Sequence, residues 1–268
     1  MPENSNTFID IIDLPSKFLP YNEKELRIRP FKIGEVKKLN PVLNKVSSLS
    51  IIDVVENVIS PIDPKDLVLG DFWFIMAWLR VNTFKSVPIT IQWICPVCKH
   101  TNSLIIDLTK LKVHELDSNY KEPVYTSLPS GKEIPLRLSR VGDELRVNKF
   151  LRTILNKEDI SEEESFIPNL AITIDNGKSL DTNIKYLEAL AEQNIEDLMV
   201  IQQFQQEFMC GLPSTLKDTC KGKGGKCGYE SDRVRFDFHF KDLIPTGQYS
   251  GHLRNAVRFG KDDKSDSE

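Results

Sequence analysis

Two cysteine pairs, Cys95/Cys98 in CPVCKH and Cys220/Cys227 around KGKGGK, stand 122 positions apart (220 − 98), so a fold that joins them must bring a late loop back to the middle of the chain. Two thiolates on one tight turn can point at a single ion while the turn's amides stabilise sulfur charge. A structural zinc ion takes four such ligands in a tetrahedron. Cys95 and Cys98 have the usual spacing, and Cys220 and Cys227 offer a longer pair whose glycine-rich loop can close. The four together would form a ribbon-like zinc site acting as a long-range staple. Two other readings stay open: a knuckle kept without metal, and a redox dithiol at Cys95 and Cys98. The redox reading wants CPVC to open a helix after a strand, whereas here it lies between two β-type runs. Cys210, the fifth cysteine, is an alternative ligand or a plain buried thiol, and His100 is a further substitute. An odd cysteine count suits neither a disulfide framework nor an oxidising compartment, so a reducing, intracellular location is expected.

The segments around the cysteines predict an α+β fold. Glu25–Phe31 alternates around Leu26, Ile28 and Pro30 as a half-exposed strand does, and a helix is expected over Ile33–Leu39, which Pro41 ends or restarts. Ser50 would cap a helix burying Ile51, Ile52, Val54, Val55, Val58 and Ile59, stopped by Pro61. Asp66–Arg80 is apolar around most of its circumference and belongs in a core, its aromatic residues packing. Pro88–Ile94 and Ser103–Leu108 flank CPVCKH as the arms of a hairpin. Further on come a helix over Asp143–Leu155, an acidic loop over Lys157–Ser165 and a long amphipathic helix from Asn183 to about Phe208. In that helix Ile184, Leu187, Leu190, Ala191, Ile195, Leu198, Met199, Ile201 and Phe204 follow the helical period. Val234–Phe240 alternates as a half-buried strand.

Short motifs recur in order. Leu14-Pro15-Ser16, Leu26-Arg27-Ile28 and Ile33-Gly34-Glu35 are echoed by Leu128-Pro129-Ser130, Leu136-Arg137-Leu138 and Val141-Gly142-Asp143, and each series ends in a cysteine pair beside a strand. The LPS elements are 114 residues apart (128 − 14) and the first cysteines 125 (220 − 95). This layout predicts two pseudo-repeated halves, 1–120 and 121–245, joined by the cysteine cluster, with a flexible polar tail over 246–268. A chain of 268 residues has room for one large domain or two small ones without disulfides.

Several function classes are disfavoured. The formal charge of −4, from 35 basic and 39 acidic residues, removes the general attraction to phosphate backbones, so nucleic acid is an unexpected partner. The longest apolar run, Phe72–Leu79, is far shorter than the roughly 20 residues that span a membrane, and the start MPENSNTFIDIID lacks the features of a secretory signal. The loop Lys221–Lys226 is anion-friendly but does not fit a phosphate-binding loop pattern. No G-x-S-x-G, G-x-G-x-x-G or H-E-x-x-H occurs, and His100, His114, His239 and His252 pair with no evident nucleophile, so neither an enzyme nor a small-molecule substrate is expected.

The order of LPS, the Arg-rich strand LRIRPF, the aromatic stretch Asp71–Arg80 and the C-P-x-C hairpin resembles the baseplate hub proteins, including the hub-assembly chaperone, of contractile-tailed phages of the T-even type. The resemblance covers most of Leu14–Leu108 and extends through the second LPS and cysteine pair towards Phe240. It implies a non-enzymatic virion or assembly protein that binds other phage tail and baseplate hub proteins, working in the host cytoplasm or residing in the tail baseplate. A zinc-ribbon module that binds nucleic acid or acts in transcription is the competing expectation, motivated by the cysteine pairs and the Lys221–Lys226 loop.

Overall fold

The computed structural model describes residues 8, 10–45, 48–84, 88–156, 160–239 and 242–244. In chain order the elements are β1 (Asp10–Ile12), β2 (Leu26–Ile28), α1 (Ile33–Lys45), α2 (Ser48–Val55), β3 (Ile59–Ser60), α3 (Leu69–Phe84), β4 (Ile89–Ile94), β5 (Thr101–Ile106), β6 (Val124–Ser127), β7 (Glu133–Leu136), α4 (Val141–Leu155), α5 (Glu162–Ala171), α6 (Leu180–Gln193), α7 (Ile195–Glu207), β8 (Thr215–Thr219) and β9 (Glu230–Arg235). The fold is thus α+β, with seven helices and four small antiparallel sheets among the described residues. Its residues group into two compact units: Met1–Phe31, Ser47–Met76 and Leu111–Pro213 form the first, and Lys32–Val46, Ala77–Lys110 and Ser214–Glu268 the second. Each unit takes residues from both sides of position 120. Both LPS segments belong to the first unit and both cysteine pairs to the second. The tail expected over 246–268 lies outside the described residues.

In the first unit, β1, β2 and β3 form one antiparallel sheet, with Ile12 opposite Leu26 and Ile28 opposite Ile59. The alternation read at Leu26-Arg27-Ile28 holds: Leu26 and Ile28 are fully buried, and Arg27 faces outward on Glu25. Burying each of these aliphatic side chains contributes about 1.5–3 kcal/mol. The helix expected to run from Ser50 to Ile59 ends at Val55 instead, because Ile59 and Ser60 leave it to pair with β2.

Both LPS segments make tight turns tied to a helix start. Lys17 N donates to Leu14 O, and Ser16 N donates to Asp71 Oδ1 at 2.9 Å in the first turn of α3. Gly131 N donates to Leu128 O, and Ser130 N donates to Asp197 Oδ1 at 3.0 Å in the first turn of α7. Both aspartates are fully buried. Asp71 also accepts from Tyr21 Oη at 2.6 Å, while Asp197 Oδ2 has no partner. Burial pushes the Asp71 carboxyl up, the donors from Ser16 and Tyr21 opposing it.

Two helical segments differ from the expected ones. The long helix from Asn183 is two helices, α6 and α7, because Asn194 takes an extended conformation (φ −155°, ψ 99°) and its side chain accepts from Glu196 N as the cap of α7. The break turns Ile195 and Met199 outward, 58% and 61% exposed, off the apolar face assigned to them. The acidic stretch Lys157–Ser165 is not all loop: Ser161 and Glu164 form a reciprocal capping box that starts α5, residues 157–159 lying outside the described set.

Asp143 anchors α4. Arg137 donates to it twice, at 2.7 and 2.9 Å, Arg140 N donates at 2.9 Å, and Arg146 pairs with it as well. Burial works against its charged form, but the Arg137 guanidinium outweighs this and holds the carboxyl below its usual range. A depressed folded value gives stability that is present above the ordinary carboxylate pKa and lost as pH falls through the folded one. Acid unfolding below about pH 4 is therefore expected to be steeper in the parent chain than in Asp143→Asn, as denaturant melts at stepped pH would read. Asp71, raised by burial, titrates with the opposite sign in both proteins and cancels in the difference.

The second unit contains α1, the Ala77–Phe84 part of α3 and the hairpins β4–β5 and β8–β9. α1 continues through Pro41 to Lys45. The β4–β5 register runs from Ile89 opposite Ile106 to Ile94 opposite Thr101, which puts Ile89, Ile91, Trp93, Asn102, Leu104 and Ile106 on the less exposed face. Trp93 Nε1 donates to Asp218 Oδ2 of β8 at 2.6 Å, joining the hairpins. The alternation expected over Val234–Phe240 survives as burial of Val234, Phe236 and Phe238, but β9 ends at Arg235 and Phe240 lies outside the described residues.

Candidate metal centre

The two hairpin turns carry matched knuckles. In the first, Cys95 N donates to His100 O at 2.9 Å and Lys99 N donates back to Cys95 O at 3.0 Å. In the second, Cys220 N donates to Tyr229 O at 2.8 Å and Gly228 N to Cys220 O at 3.1 Å. Lys99 (φ 58°) and Gly228 (φ 65°), each just after its pair's second cysteine, are left-handed, a conformation that costs lysine more than glycine. The longer spacing of Cys220 and Cys227 is therefore the same knuckle with a looped insertion. Gly222 is required where that loop leaves Cys220, since a Cβ there would lie 2.9 Å from Cys227 Cβ at an already left-handed residue.

All four sulfurs lie within 4.8 Å of one another. Cys95 Sγ is 3.9 Å from Cys227 Sγ, and Cys98 Sγ is 3.5 Å from Cys220 Sγ. Zinc–sulfur bonds of about 2.3 Å in a tetrahedron put sulfurs about 3.8 Å apart, so the set fits a divalent ion with soft ligands. Burial raises the Cys95 thiol, and the amides of Cys98 and Val97 with the neighbouring cysteines overcome it, bringing it down to about 7. Cys220 is raised, chiefly by burial. Four thiolates on a divalent ion leave a net charge of −2, and Lys99 and Lys226 line the hollow beside them, placing positive charge where it offsets the excess.

The other residues weighed as ligands lie elsewhere. Cys210 is buried in the first unit, its thiol pushed up to about 12 by burial and the Asp71 charge, as befits an inert thiol. His100 contributes its carbonyl to the first knuckle. His114 makes a backbone bridge with Gly211, His239 is exposed, and His252 lies outside the described residues. Asn102 was not singled out by its sequence context, yet it is the buried residue that touches Cys220.

The family model for T4 bacteriophage base plate protein matches residues 12–239, from the first strand to beyond the second knuckle. The chain belongs to this baseplate protein family. No curated protein and no solved structure matches it. The baseplate family match takes in both LPS clasps and all four cysteines of the metal centre.

Proposed function

We propose that this baseplate protein is a component of the tail baseplate hub, or a factor that assembles it, acting by binding other phage tail proteins and catalysing no reaction. The observation that carries this reading is the family match over residues 12–239. Its centre is built in the host cytoplasm, where reduced thiols can take up zinc, and Cys95, Cys98, Cys220 and Cys227 hold one zinc ion that staples the two hairpins. The zinc here is structural, since four protein sulfurs close the coordination shell and leave no open position for a substrate. The paired knuckles and the two LPS-to-aspartate clasps support descent from a duplicated half, with one clasp and one knuckle from each copy.

Affinity purification of the tagged full chain from phage-infected cells tests the reading. Recovery of other tail proteins in fixed proportion is the expected result, and the chain's presence or absence in purified virions then separates hub subunit from assembly factor. Recovery of nucleic acid alone would overturn the reading in favour of a zinc-ribbon nucleic-acid binder, whose affinity falls steeply with salt.

A further inference from the structure

We propose that Asn102 is a positioning residue of the metal centre: it donates to the Cys220 sulfur and holds the two knuckles in register. The proposal rests on the reading that the four cysteines bind one metal ion. Asn102 is the second residue of β5 and only 4% exposed, on the face shared with Leu104 and Ile106, where packing alone calls for an aliphatic side chain. Its amide is used wholly at the knuckles. Nδ2 donates to Cys220 Sγ at 3.4 Å and to His100 O at 3.3 Å, and Oδ1 accepts from Lys221 N at 3.1 Å.

Two consequences follow from these three bonds. The bridge joins the carbonyl that closes the first knuckle to the sulfur and the next backbone amide of the second, 118 and 119 residues away. It thereby fixes the approach of Cys220 towards Cys98, 3.5 Å from it. The N–H also draws electron density from a sulfur in a cluster with excess negative charge, as outer-shell partners of metal ligands do.

The test titrates the full chain, Asn102→Asp and Asn102→Leu with Co2+ under reducing conditions. Competition with a chromophoric chelator gives affinity, and the thiolate-to-cobalt charge-transfer band reports the sulfurs. Asn102→Asp keeps an acceptor for Lys221 N but sets a carboxylate oxygen against sulfur, so a loss of about tenfold to hundredfold in affinity is expected. Asn102→Leu removes the donor without adding charge, and its band is expected to move to lower energy at saturating metal. Unchanged affinity in Asn102→Asp, or an unmoved band in Asn102→Leu, overturns the proposal, the latter showing a packing role. If Asn102→Asp does not fold, the band of Asn102→Leu decides. Absence of cobalt binding by the parent chain would instead overturn the metal reading itself.

Discussion

Cys220→Ser is expected to abolish tight zinc binding and to strip hydrogen-exchange protection from β4–β5 and β8–β9, leaving β1–β3 and α4–α7 protected. Each of these hairpins has only two strands, and an isolated two-stranded hairpin is marginal in water. Their turns carry the four sulfurs, so metal binding, about 10–16 kcal/mol in small structural zinc modules, becomes folding energy for this part of the chain. Three remaining sulfurs and a hydroxyl forfeit a large share of that. Cys210→Ser is the matched control: its thiol lies in the first unit, and metal content should not change. Elemental analysis beside exchange mass spectrometry reads both variants, and full zinc retention in Cys220→Ser would remove Cys220 from the site.

Gly70→Ala is expected to destabilise the first unit by about 3 kcal/mol or more, although alanine is the better helix former by about 1 kcal/mol. A Cβ at Gly70 would lie 2.1 Å from the Cys210 carbonyl oxygen and 2.7 Å from its carbon. The contact is reciprocal, since a Cβ on Gly211, held at φ +105°, would meet Gly70 O at 2.6 Å. Both obstacles are backbone and cannot swing aside as a side chain would, so the first turn of α3 would have to shift, carrying Asp71 off Ser16 and Tyr21. Gly34, in the first turn of α1, has nothing within 4 Å of an added Cβ, and there the same substitution should be neutral or stabilise by up to about 1 kcal/mol. Denaturant midpoints of the two variants therefore separate the steric cost from helix propensity, and a stable Gly70→Ala would contradict the close approach.

The cysteine cluster and its hairpin arms were legible because CPVCKH sits between two apolar runs of strand length, and ligand spacing is a local property. β2 was legible for a similar reason, its two-residue period being unbroken by a competing signal. The break at Asn194 was not, because the apolar period of Asn183–Phe208 runs straight through it. A single capping asparagine changes the helix axis without interrupting the periodic pattern. Glu162–Glu164 read as solvated loop because their charge concealed the Ser161–Glu164 box. Asn102 needed the β4–β5 register: it precedes the arm expected over Ser103–Leu108 and reads as part of the turn until its pairing with Trp93 places it in β5 on the less exposed face. Asp71 and Asp197 were hidden too, since both lie inside the longer helices expected over Asp66–Arg80 and Asn183–Phe208, and a bond from a distant LPS amide is a tertiary feature.

Native mass spectrometry of the full chain, purified under reducing conditions and supplied with zinc, tests most directly whether the four cysteines staple the second unit. One zinc per chain with four thiol protons displaced is expected, with loss of both knuckles' exchange protection when a chelator removes the metal. A chain that takes up no zinc yet keeps both knuckles protected would contradict the staple.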